Sequence, residues 1–73
     1  MDKQSQNNSI LKLLQEGRTI TNISAIEQFN CYRLSARIND LRNRGHNIIT
    51  DMIYGRDEET GKLTKYARYR LAV

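Results

Sequence analysis

Apolar positions recur along the chain with two different spacings, helical in its first two thirds and alternating in the last third. In "SQNNSILKLLQEG", residues 5–17, Ile10, Leu11, Leu13 and Leu14 form one apolar stripe. The polar Asn and Ser residues before it offer an N-cap, and Gly17 stands where a helix C-cap belongs. "RTIT" then reads as a short extended connector, because Thr19, Ile20 and Thr21 carry β-favouring side chains. Thr21 also suits the N-cap of a second, short helix, "NISAIEQF", with Ile23, Ile26 and Phe29 expected to face inward. Asn30 enters the left-handed backbone region easily, so "NCY" is expected to end that helix and turn the chain sharply.

The spacing predicts a third helix from Tyr32 to Arg44, closed by Gly45. At 100° per residue, Leu34, Ile38 and Leu41 fall within about 60° of one another and define its core face. The opposite arc holds Tyr32, Arg33, Ala36, Asn39, Asp40 and Asn43, with Arg37 and Arg42 on the shoulders. Beyond Gly45, "NIITDMIY" and "TKYARYRLAV" alternate as strands do, the second with Ala67, Tyr69 and Leu71 on one side. Joined by polar "GRDEETGKL", they predict a β-hairpin with a long loop. Of the two possible registers, the one turning Ile48 and Met52 to the core is favoured over Ile49 and Ile53.

Composition narrows the possible functions. Seventy-three residues make one domain with a small core, too small to enclose a ligand cavity, so neither an enzyme nor a small-molecule ligand is expected. One cysteine and one histidine exclude an internal disulfide and the usual zinc spacings, and no cofactor or metal is expected. A Cys31–His46 pair lacks an oxyanion hole; Cys31 suits packing in the turn and His46 the surface. No stretch approaches the roughly 18 apolar residues of a membrane span, and the polar start is unlike a signal peptide, so a cytoplasmic protein of a reducing compartment is expected.

The net charge of +4 is unevenly placed. Up to Tyr32, three Lys/Arg balance three Asp/Glu; from Arg33 onward nine stand against five. Such asymmetry points to a polyanionic partner for the second part of the chain, most often nucleic acid.

The order helix, connector, helix, tight turn, helix, hairpin is that of a winged helix-turn-helix. With "TIT", "AIEQF", "RLSARINDLRNRGHNI" and "YRL", the chain resembles the small winged helix-turn-helix DNA-binding domains of bacteriophage and prophage proteins over Ile10 to Leu71. The resemblance implies a mainly α fold with a small β-hairpin (α+β), a three-helix winged helix-turn-helix. It also implies double-stranded-DNA binding in transcription regulation or recombination. Residues 1–6 are expected as a flexible N-terminal segment and 7–73 as the DNA-binding domain.

A recognition helix enters the major groove with its N-terminal half, which here presents Tyr32, Arg33, Ser35, Ala36, Arg37 and Asn39, followed by Asn43 and Arg44. Arginine pairs with guanine and asparagine with adenine, while small Ser35 and Ala36 admit close approach. Thr21 and Asn22 stand where a helix N-terminus can meet a phosphate. On the wing, Arg56, Lys62 and Lys65 are expected to reach the flanking backbone, whereas the acidic tip "DEE" would be repelled from a groove. Two readings stay open for Arg37: DNA contact, or a salt bridge to Asp40 or Glu27. Tyr66 and Tyr69 suit packing more than base stacking. Arg42 and Arg44 also complement the dipole at the helix C-terminus. A single module covers few base pairs, so a homodimer or a protein partner is a further expectation. The rival reading is a protein-binding winged helix that modulates a host factor without touching DNA.

Overall fold

The structure, a computed structural model, describes residues 3–72. Three helices and three strands follow in the order α1 (Lys3–Gln15), β1 (Ile20–Thr21), α2 (Asn22–Phe29), α3 (Leu34–Asn43), β2 (Ile48–Arg56) and β3 (Leu63–Leu71). The strands form one antiparallel sheet, ordered β1-β3-β2. This is the α+β winged helix-turn-helix architecture, with one addition. The connector "RTIT" supplies a third strand, Ile20 opposite Tyr69 and Thr21 opposite Arg68.

Ile10, Leu13 and Leu14 of α1, Ile20, Ala25, Cys31, the α3 stripe Leu34, Ile38 and Leu41, and Ile48 form one buried cluster. Phe29, Tyr69 and Leu71 pack partly against it. Cys31 is therefore a packing residue, and its thiol is free and buried.

Helix ends follow their end residues. At α2, the Thr21 hydroxyl accepts from the Ser24 N–H at 3.2 Å while the Thr21 N–H donates to Ser24 Oγ at 2.9 Å, a reciprocal capping box. Its other end is Asn30, with φ 54° and ψ 34°, the left-handed conformation that asparagine tolerates and that aims the chain into α3. α3 closes with Gly45 at φ 96°: the His46 N–H donates to the Leu41 carbonyl and the Gly45 N–H to Arg42, a paired C-cap that needs a positive φ. Thr21→Ala is expected to cost about 1 kcal/mol of stability, with Thr21→Ser retaining most of it, as read from urea denaturation midpoints. Equal midpoints for wild type and Thr21→Ala would mean that the box carries no stability.

Several expectations are corrected. α1 begins at Lys3, upstream of the Asn/Ser cluster, so residues 3–6 are helical and Asn7 lies in the helix interior, buried; residues 1 and 2 lie outside the described residues. α3 begins at Leu34, which leaves Tyr32 and Arg33 ahead of it. In α2 the inward residues are Ala25 and, partly, Phe29, whereas Ile23 is 70% and Ile26 38% exposed. Ala25 and Phe29 are four residues apart and share a helix face, and Ile23 falls nearly opposite. On β2, Ile48 is buried as expected but Met52 is 45% exposed. The hairpin projects beyond the helices, so only its root, Ile48 with Tyr69 and Leu71, has a body to pack against.

Candidate nucleic-acid interface

With Leu34, Ile38 and Leu41 buried, the rest of α3 is sorted by what its side chains touch. Tyr32, Arg33, Ser35, Asn39 and Asn43 are exposed, and Ala36 is half-buried. Three of the four arginines between 33 and 44 are engaged within the protein. Arg37, its side chain 14% exposed, holds Nε 3.2 Å from Asp40 Oδ2, off the hydrogen-bonding direction, so the contact is an ion pair without a formed hydrogen bond. The same Oδ2 receives a long 3.4 Å bond from the Asn7 amide on α1. Arg42 donates from Nε and one terminal nitrogen to the Ile48 carbonyl, at 3.1 and 2.7 Å, and to the Thr50 hydroxyl at 2.9 Å, fastening α3 to the first strand of the hairpin. Arg44 donates to Gln4 Oε1 at 2.6 Å, tying the end of α3 to the start of α1.

Arg33 is different. It precedes the first turn of α3, is exposed, and makes no side-chain hydrogen bond or ion pair among the described residues. The α3 N-terminus has no side-chain cap, so its first-turn N–H groups lack the side-chain acceptor that Thr21 provides in α2. Of the two residues expected to meet phosphate at α2, Thr21 has its hydroxyl committed to the capping box, and Asn22 is exposed at the first helical position.

Register sorts the wing. Directly opposite residues share a face, so the pairs Ile48–Leu71, Thr50–Tyr69, Met52–Ala67, Tyr54–Lys65 and Arg56–Leu63 line one side of the hairpin. At its root this side meets the core through Ile48 and Tyr69; farther out it carries Tyr54, Arg56, Leu63 and Lys65, all exposed. Arg56 and Lys65 thus stand on the side of the wing that continues the helical body. The other side carries Ile49, Asp51, Ile53, Tyr66, Arg68 and Arg70, with Arg70 Nε 2.7 Å from Asp51 Oδ2. Lys62 is exposed at the end of the loop. In that loop the Asp57 carboxylate accepts from the N–H groups of Glu59 and Thr60, so one charge of the acidic tip is used to shape the turn. Tyr69 packs on the core as expected, while Tyr66 is half-exposed and lines a groove with Ile23 and Glu27.

Sequence reasoning missed Gln4 and Asn7, the α1 partners of α3. A signal existed: Asn7 lies three and seven residues before Ile10 and Leu14, on the same helix face. Among the described residues no group of His, Cys, Asp and Glu could hold a metal ion, and no helix is long and apolar enough to cross a membrane.

A three-helix body, a tight α2–α3 turn and a two-stranded wing define the class of helix-turn-helix proteins with one wing. The family model described as "Winged helix-turn-helix domain" matches residues 5–73, and the chain belongs to that family. Neither a curated protein nor a solved structure matches the chain significantly. Domains of this kind are typically non-enzymatic, and the membership suggests DNA binding in general.

Proposed function

We infer that the protein is a sequence-selective double-stranded-DNA-binding protein of the bacteriophage or prophage type, acting as a transcriptional regulator or a recombination accessory factor. Its α3 enters the major groove N-terminus first, with Tyr32, Arg33, Ser35, Ala36, Asn39 and Asn43 toward base edges and neighbouring phosphates. Arg56, Lys62 and Lys65 on the wing, with Asn22 at α2, meet the flanking backbone. The observation that carries this reading is Arg33: an exposed cation with no side-chain partner among the described residues, at a helix start with no side-chain cap, on a helix whose other side is fully buried. Phosphate and guanine both favour such a group. Arg37 and Arg44 take a smaller part, because Asp40 and Gln4 hold them.

Titration of a selected duplex against random-sequence duplex at two salt concentrations tests this. Tight, salt-dependent binding with a clear preference for the selected sequence is expected, since phosphate neutralisation releases counterions. Lys65→Ala is expected to weaken both duplexes alike and to lower the log–log salt slope by about 1. A preference that changes with Lys65→Ala would remove that side chain from the backbone-contacting set.

A second reading rests on α2. Exposed Ile23 and half-exposed Tyr66 line one groove with Glu27, a carboxylate ill suited to lie beside phosphate. For a module that occupies a protein instead, duplex affinity would be negligible even at low salt, and Ile23→Ser would abolish partner binding without changing stability.

A further inference from the structure

β2 is an edge strand of nine residues, and hydrogen-bond directions show which of its backbone groups are free. The Asn47 carbonyl accepts from the Ala72 N–H, and the Asp57 N–H donates to the Lys62 carbonyl. By the alternation of an antiparallel ladder, Ile49, Asp51, Ile53 and Gly55 turn toward β3. Ile48, Thr50, Met52, Tyr54 and Arg56 therefore turn their N–H and C=O groups outward, as the Ile48 carbonyl does in reaching Arg42. Arg42 covers the strand root, holding that carbonyl and the Thr50 hydroxyl. Past Thr50 the edge is open. The run "MIY" there has high β propensity and no Lys or Pro to blunt it, with Met52 45% and Tyr54 73% exposed. The sheet's other open edge, β3 beyond its pairing with β1, turns Lys65 outward between Leu63 and Ala67, a common protection against strand pairing.

We propose that the β2 edge pairs with the β2 edge of a second copy of this chain, two-fold and antiparallel, centred on Ile53. Self-complementarity selects both the occupant and the register. Centred on Ile53, Met52 lies opposite the second copy's Tyr54 on one face, a thioether against an aromatic ring, and Ile53 opposite Ile53 on the other. Asp51 then faces Gly55, and Arg56 falls opposite Thr50 at the ladder's end, where its long side chain turns to solvent. Centring on Asp51 sets two aspartates directly opposite. Centring on Met52 drives Arg56 against the Ile48 carbonyl already held by Arg42, and centring on Tyr54 opposes Asp51 with Asp57. Like charges directly opposite destabilise a sheet. The result is one continuous six-stranded sheet whose faces, with Arg56 and Lys65, stay accessible. The ladder is short and the interface lies at the small end of specific interfaces, so the dimer forms weakly, with its population rising with concentration.

The proposal is independent of DNA and is tested without it. Sedimentation velocity of the full chain from micromolar to millimolar concentration is expected to show mass moving from one chain toward two. Tyr54→Lys, at an exposed site, is expected to return it to one chain with the melting temperature unchanged. Opposite residues at a non-hydrogen-bonded site have Cα atoms about 4.5 Å apart, within the disulfide range of about 4.4–6.8 Å. Ile53→Cys is therefore expected to form a disulfide-linked dimer on mild oxidation severalfold faster than Met52→Cys or Tyr54→Cys, with buried Cys31 a bystander. A wild-type chain that stays monomeric throughout, a Tyr54→Lys chain that dimerises as well as wild type, or Tyr54→Cys or Met52→Cys crosslinking faster than Ile53→Cys would each overturn it.

Discussion

Leu41→Ala is expected to remove a large share of the domain's stability. Leu41 is fully buried, in the cluster that joins Ile10 and Leu14 of α1, Ile38 of α3 and Ile48 at the root of the wing. Truncating such a leucine removes its transfer free energy and leaves a cavity, together about 2–5 kcal/mol. A chain of this length has a total stability of only about 4–11 kcal/mol. The melting temperature should therefore fall by about 8 °C or more, at about 4–8 °C per kcal/mol for small domains. Circular dichroism through the melt measures it. A drop of only a degree or two would mean that α3 does not turn this side to the body, and every assignment on its opposite side would go with it.

Much of this arrangement is legible in the sequence, and the reasons separate what is from what is not. Local rules with one physical cause read well. Gly17, Asn30 and Gly45 take the positive φ that ends each helix, Thr21 caps α2, and Leu34, Ile38 and Leu41 span enough turns for their period to be unambiguous. Short elements read poorly. α2 has eight residues, too few to tell an Ile23–Ile26 stripe from an Ala25–Phe29 one, and β1 has two, too few for any pattern. Its strand character comes from β3 lying beside it, a tertiary fact. Met52 illustrates a third limit: alternation assigns it to the right face, but that face is covered only at the root of the hairpin, and no sequence pattern says where cover ends.

The arginines are the most instructive case for the site. Four of them crowd Arg33 to Arg44, and charge count alone makes the segment look like a phosphate-binding surface. Arg37, Arg42 and Arg44 instead hold Asp40, the Ile48 carbonyl and Gln4, fixing α3 against α1 and β2. Their partners are up to 40 residues away in the chain, beyond the reach of any local rule. Only the Asp40 pairing, three residues from Arg37, is open to inspection in the sequence, and there it competes evenly with DNA. The cations thus serve two purposes: three brace α3, and one faces outward.

Arg33→Ala is expected to cost about 1–3 kcal/mol of the discrimination between a selected duplex and random DNA, or up to about a hundredfold in relative affinity. Its stability should stay near wild type, because the side chain is exposed and has no partner among the described residues. Arg37→Ala and Arg44→Ala separate bracing from readout. Both remove contacts to Asp40 or Gln4, so both should lower the melting temperature, while changing sequence preference less than Arg33→Ala does. Arg33→Lys sharpens the test, since lysine keeps the charge but not the two-pronged donor geometry that guanine requires. Random-duplex affinity should then return close to wild type while the preference does not. If Arg33→Lys instead restored the preference in full, Arg33 would be a phosphate contact, and readout would have to lie with Asn39 and Asn43.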